Sequence, residues 1–126
     1  MKKIMNNDKI KSMKLYNFID RVYNELKELG KEKSGSLSIS ELSSFDQLHY
    51  HGTEAIDYAI EKFDINKNSK VLEIGSGIGG PSRYIAQKTG ASVTALELQN
   101  DHHEVGIELT KDVVYIIMWN ISVAIS

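Results

Sequence analysis

This chain predicts an α/β architecture in which helices lead into a parallel βαβ unit, and three observations predict it. The run Val71-Leu72-Glu73-Ile74 favours a strand and passes straight into Gly75-Ser76-Gly77-Ile78-Gly79-Gly80. Pro81 then opens a helical pattern, because its missing N–H would have no intrahelical partner there and its φ is already helical. Val93-Thr94-Ala95-Leu96, β-branched and apolar, supplies a second strand that ends in Glu97. Ligands on open α/β sheets bind beyond the carboxyl ends of the strands, so the glycine turn and Glu97 together mark a nucleoside-type site.

Taken in order, residues 1–11 are polar and read as a frayed start. From Ser12, Leu15, Tyr16, Ile19, Val22, Tyr23, Leu26 and Leu29 recur at three- and four-residue steps, the stripe of an amphipathic helix that Gly30 ends. Lys31–Leu37 is a charged, Gly/Ser-containing connector. Ser38 and Glu41 then stand in capping-box spacing and introduce a short helical turn through Leu42 and Phe45. Asp46–Gly52 is irregular, aromatic and histidine-bearing, and Thr53 follows as the expected N-cap of a helix with Ile56, Ala59, Ile60 and Phe63 on one face.

Two readings of that irregular stretch stand side by side. It is either a loop that closes over a ligand, or a segment in which Tyr50 packs on the core while His49 and His51 face water. No third ligand has an obvious place beside the two histidines, so no metal site is expected there. Asp64–Ser69 is a polar connector into the first strand, and Gly90 is placed to stop the helix after it in a left-handed cap. That helix is expected to share Tyr84, Ile85 and the stem of Lys88 on one face. Beyond Glu97, Asn100 or Asp101 can cap a further helix to about Lys111, with His102 and His103 expected at the surface. Val113–Ile125 is apolar and β-branched; as a helix it would cover about 20 Å, short of the ~30 Å hydrocarbon core, so a third strand is the better reading.

Composition narrows the partners. The 126 residues suit one domain, and 15 basic against 17 acidic side chains leave a net charge of −2, without the footprint of a nucleic-acid or anionic-membrane surface. A small molecule fits better. The absence of cysteine removes both disulfides and thiolate zinc sites and is compatible with a reducing, cytoplasmic setting. MKKIMNNDKIKSMK is basic but has no apolar core, so it does not read as a secretory signal.

The glycines satisfy two patterns at once. Gly75, Gly77 and Gly80 fit the G-x-G-x-x-G of dinucleotide enzymes, whereas Glu73, Gly75, Gly77 and Gly79 fit an acid-x-G-x-G-x-G run. Glu73 itself, the long helical lead-in and the Gly80-Pro81-Ser82-Arg83-Tyr84 continuation favour the second. The run resembles motif I and the following acidic strand end of class I S-adenosylmethionine-dependent methyltransferases. It is most similar to the N-methyltransferases acting on sarcosine, dimethylglycine or phosphoethanolamine, through Gly79–Tyr84 and Val93–Gln99 and, more loosely, Asp46–Glu54.

That resemblance implies a Rossmann-like methyltransferase fold with an N-terminal helical extension and S-adenosylmethionine as cofactor. Residues 1–69 would form a helical cap and cofactor lid, and residues 70–126 the first part of the cofactor-binding domain. It implies that Glu73 orients the methionine amino group, that Gly75, Ser76, Gly77 and Gly79 let the cofactor lie on bare backbone, that Glu97 takes the ribose hydroxyls and Leu98 the adenine, and that Tyr50 and His51 close over the methionine end. No catalytic residue is identified.

The resemblance ends after Thr110-Lys111. Family members carry seven strands in a chain about twice as long, so the sequence reads as a truncated form whose 113–126 tail is atypical and could drive self-association. Two other functions are expected to compete: an NAD-dependent oxidoreductase, and an inactive binding or regulatory module.

Overall fold

A computed structural model describes residues 19–31, 37–111 and 121–124. The elements run α1 (Ile19–Glu28), α2 (Ile39–Ser43), α3 (Gly52–Lys62), β1 (Lys70–Ile74), α4 (Gly80–Thr89), β2 (Ser92–Leu96), α5 (Asn100–Lys111) and β3 (Ile121–Ala124). The strands form one parallel sheet in the order β1-β2-β3, with Val71 opposite Val93 and Val93 opposite Ile121. The expected βαβ unit is therefore present and extends by one strand. The expected start of the first helix from Ser12 through Leu15 and Tyr16, the frayed first eleven residues, most of the Lys31–Leu37 connector and most of the 113–126 tail lie outside the described residues.

Alternation along the strands decides which face is covered. Val93 and Ala95 are fully buried and stand in register with Val71 and Glu73, while Leu72 and Ile74 point to the other face and stay 58% and 76% exposed among the described residues. Val93, Ile85 and Ala91 form a small core between sheet and α4, into which Ile56 and Ile60 of α3 pack. A second core joins Val22 of α1, Leu42 of α2, Ile78 of the glycine turn and Val105 and Leu109 of α5. It draws the helices that precede the sheet onto the carboxyl end of β1.

Local chemistry sets the helix ends. Ser38 and Glu41 form the full capping box: the Ser38 hydroxyl oxygen accepts the Glu41 N–H at 3.1 Å, and Glu41 Oε2 accepts the Ser38 N–H at 2.8 Å. Ser38→Ala is expected to lower stability by about 1 kcal/mol, read from denaturant unfolding. Gly90 closes α4 at φ 72, its N–H donating to the Ala86 carbonyl. On the helix face expected from Tyr84 and Lys88, the Tyr84 hydroxyl donates to Asp57 of α3 at 2.8 Å, and Lys88 pairs with the same carboxylate.

Four expectations are corrected. His51, not Thr53, is the N-cap of α3, because the chain enters that helix through a left-handed residue at φ 67 and no side chain caps it. Phe63 lies past the last helical residue and is 74% exposed, so it leaves the packed face. Tyr50 is 92% exposed, which removes the reading that packs it on the core. His102 is buried, because the first turn of α5 faces the carboxyl end of the sheet and not solvent.

Candidate functional site

The carboxyl ends of β1 and β2 open into a cleft of about 950 Å³, lined from the sheet side by Glu73, Gly75, Ser76, Gly77, Glu97 and Gln99. Its other wall is the irregular segment Asp46–Tyr50, with Arg21 of α1 and His102 of α5 at the edges. The loop lies close over the turn: a Cβ placed on Gly77 would stand 3.9 Å from Leu48 Cδ1. Gly77 itself sits at φ 56, a left-handed conformation that disfavours other residues.

Backbone donors around the turn are already engaged. The N–H groups of Gly75 and Ser76 both donate to the Leu96 carbonyl, at 2.8 and 3.1 Å. Those of Gly77 and Gln99 donate to the two oxygens of Glu97, at 2.7 and 2.8 Å. Glu97 is thereby held nearly buried and fixed in orientation, while each of its oxygens keeps a further lone pair. Two buried polar atoms of the lining, Ser76 Oγ and Gln99 Oε1, have no protein partner.

Glu73 occupies the amino end of α4. Its Oε2 accepts the Ser82 hydroxyl, and the Ser82 backbone N–H, an otherwise orphaned donor of the first turn, also bonds to this carboxylate. Burial pushes the Glu73 carboxyl above the ordinary glutamate range, against the pull of these bonds and of His49 and Arg83. The folded chain therefore holds this proton more tightly than the unfolded one, and the contribution is lost as pH rises from the ordinary value of 4.5 through the elevated one. Glu73→Gln is expected to flatten that part of the stability profile, as read by chemical denaturation at a series of pH values.

Of the residues expected at a cofactor site, Glu73, Gly75, Ser76, Gly77, Glu97 and Tyr50 meet around the cleft. Gly79, Leu98 and His51 are placed outside its lining. Gly79 is the left-handed N-cap of α4, Leu98 is 38% exposed on the turn after β2, and His51 begins α3. The sequence reading missed Arg21, Gln99 and His102, and it offered Gln47 only as part of the loop that could close over a ligand. For Gln99 and His102 a signal existed, since Gln99 lies on the connection after Glu97 and His102 in the first turn of the helix that it leads into, at the end of the sheet where ligands bind. Arg21 had none, because only tertiary packing carries α1 to this edge. Among the described residues no group of three or more histidine or acidic side chains is placed to hold a metal ion, and no helix is long and apolar enough to cross a membrane.

A parallel sheet with a glycine turn after its first strand, an acid after its second and a cleft between them defines a Rossmann-like, nucleoside-cofactor fold. Comparison with known proteins refines this. The chain is 35% identical over 63 residues to methyltransferase GfsG of Streptomyces halstedii, covering 50% of this chain and 23% of that one. It is 43% identical over 47 residues to the phosphoethanolamine N-methyltransferase of Plasmodium falciparum, covering 37% and 18%. It is 38% identical over 68 residues to the sterol 24-C-methyltransferase of Debaryomyces hansenii, covering 48% and 18%.

Among solved structures, a Haemonchus contortus phosphoethanolamine N-methyltransferase in complex with phosphomonomethylethanolamine and S-adenosylhomocysteine superposes with a TM-score of 0.57 at 18% identity, over 82% of this chain and 24% of that one, a likeness of fold. No protein-family model matches. Over half of its length or less the chain is similar to S-adenosylmethionine-dependent methyltransferases, and it spans less than a quarter of the length of the curated relatives named here.

Proposed function

We propose that this chain binds S-adenosylmethionine in the cleft between Glu73, Glu97 and the Asp46–Tyr50 loop, and serves methyl transfer to a small amine of the sarcosine, dimethylglycine or phosphoethanolamine type. The observation that carries the cofactor reading is Glu73 at the amino end of α4. A dinucleotide places its pyrophosphate at that helix end, on free backbone N–H groups. Here the place holds a carboxylate, and the N–H groups of Gly75, Ser76 and Gly77 are bonded within the protein. An anion would be repelled there, whereas the amino group of a methionine moiety would be drawn to Glu73.

Glu97, already oriented by two backbone donors, keeps acceptor capacity for a pair of ribose hydroxyls. Ser76 Oγ and Gln99 Oε1, partnerless inside the protein, add polar contacts that a hydroxyl- and amine-bearing ligand can satisfy. When bound, the cofactor supplies an activated methyl group on a sulfonium. The task left to the protein is to align the acceptor and exclude water. The described helices before the sheet, α1, α2 and α3, suit a cap, since the Asp46–Tyr50 segment between α2 and α3 lines the cleft opposite the glycine turn.

The relatives include both amine and sterol carbon methyltransferases, and the chemistry of the cleft favours an amine acceptor. Glu73, Glu97, Gln47, His49 and Gln99 make much of its lining polar or acidic, which suits a small cationic or neutral amine better than a sterol.

Isothermal titration of the purified chain with S-adenosylmethionine, S-adenosylhomocysteine and NAD tests the reading. Saturable binding of the first two and none of NAD is the expected result. Binding of NAD alone, or of no nucleoside cofactor by a cooperatively folded chain, would overturn it.

A further inference from the structure

We infer that Arg83, Asp46 and Gly80 form a buried clamp that holds the Asp46–Tyr50 loop over the cleft, which makes Arg83 a positioning residue for cofactor binding. The role in binding rests on the cofactor reading above; the clamp itself does not. Arg83 Nη2 pairs with Asp46 Oδ2 at 3.0 Å, and both side chains are almost wholly buried. The other arm of the guanidinium reaches α5, with Nη1 3.1 Å from Thr110 Oγ1 and 3.4 Å from the Gly106 carbonyl. One side chain of α4 therefore ties the first residue of the loop to the helix that follows Glu97. Burial pulls the Arg83 pKa down and Asp46 opposes that pull, so the pair is mutually dependent.

Gly80 supplies the second jaw. A Cβ there would fall inside the contact shell of the Asp46 carbonyl oxygen, 2.8 Å from its carbonyl carbon and 2.9 Å from Asp46 Cγ. The helix can approach the loop this closely only without a side chain. This accounts for the last glycine of the turn, which is not part of the cleft lining. From Asp46 the chain continues through Gln47, Leu48, His49 and Tyr50, all of which line the cleft. A loop pinned so firmly at one end, with Tyr50 exposed at the other, is arranged to be held in place at its root.

The absence of cysteine allows a direct test on the full chain. Spin labels are attached through Tyr50→Cys on the loop and Gln87→Cys on the exposed side of α4, and their separation is measured by pulsed electron resonance without ligand. One narrow distance is expected. Arg83→Lys keeps the charge but loses the fork that reaches Asp46 and α5 together, and Gly80→Ala wedges the loop away by an independent route. Each is expected to broaden the distribution and move it outward in the folded protein. If the loop then holds its place about one tenth of the time, S-adenosylhomocysteine should bind unlabelled Arg83→Lys roughly tenfold more weakly.

An unchanged distance in whichever of these variants folds would overturn the clamp. A displaced loop with unchanged S-adenosylhomocysteine affinity would overturn its role in binding. A displaced loop in a chain that binds no S-adenosylhomocysteine even when unaltered would uphold the clamp and sink the cofactor reading instead.

Discussion

Glu97→Gln is expected to weaken S-adenosylhomocysteine binding by about 1.5–3 kcal/mol, roughly ten- to hundredfold in Kd by calorimetry. The carboxylate does two things at once. Its oxygens accept the Gly77 and Gln99 N–H groups at 2.7 and 2.8 Å, and the lone pairs that remain are what a ribose can use. An amide of the same shape has one acceptor oxygen and one NH2, so one of the two backbone donors would face another donor. The turn would lose its anchor to the end of β2, and the ligand its charge-assisted bonds. Glu97→Ala should go further and lower folding stability as well, since two nearly buried N–H groups are left unpaired at about 1–3 kcal/mol each. Unchanged affinity in both variants would take Glu97 out of the site.

Arg83→Met is expected to cost about 3–5 kcal/mol of stability, because it leaves Asp46 charged and buried without its partner. The double replacement Asp46→Leu with Arg83→Met should recover much of that loss, since a buried ion pair exchanged for packed apolar groups is often neutral in stability. Denaturant unfolding of the two single variants and the double variant completes a cycle whose coupling should be large and favourable. Additive losses would mean that the two side chains do not act as a pair. Small domains are marginal, so loss of several kcal/mol would be visible as a fall in the fraction folded at ambient temperature.

Much of the central unit was legible in the residues because local chemistry decides it. Strand-forming Val71–Ile74, the glycines that follow, Pro81 and Gly90 leave the chain few alternatives to strand, turn and capped helix. The acid at the end of the second strand followed from the rule that such sheets bind ligands at their carboxyl ends, and Glu73 and Glu97 do meet across one cleft. Ser38 and Glu41 announced their capping box by spacing alone.

Tertiary structure decided what spacing cannot carry. Arg83 reads as a polar residue on a helix, yet it is fully buried because Asp46, 37 positions earlier, is folded onto it. His102 reads as surface and is buried, since exposure depends on what the first turn of α5 faces. Gly80 fits a cofactor motif by pattern, but the close neighbour that needs its missing side chain is the backbone of Asp46. By itself the sequence determined the βαβ unit, its turn and its acids, because each rests on the conformational preferences of neighbouring residues. The route of the loop, the pairing of buried charges and the membership of the cleft depend on contacts between segments far apart in the chain, and only the folded structure brings those together.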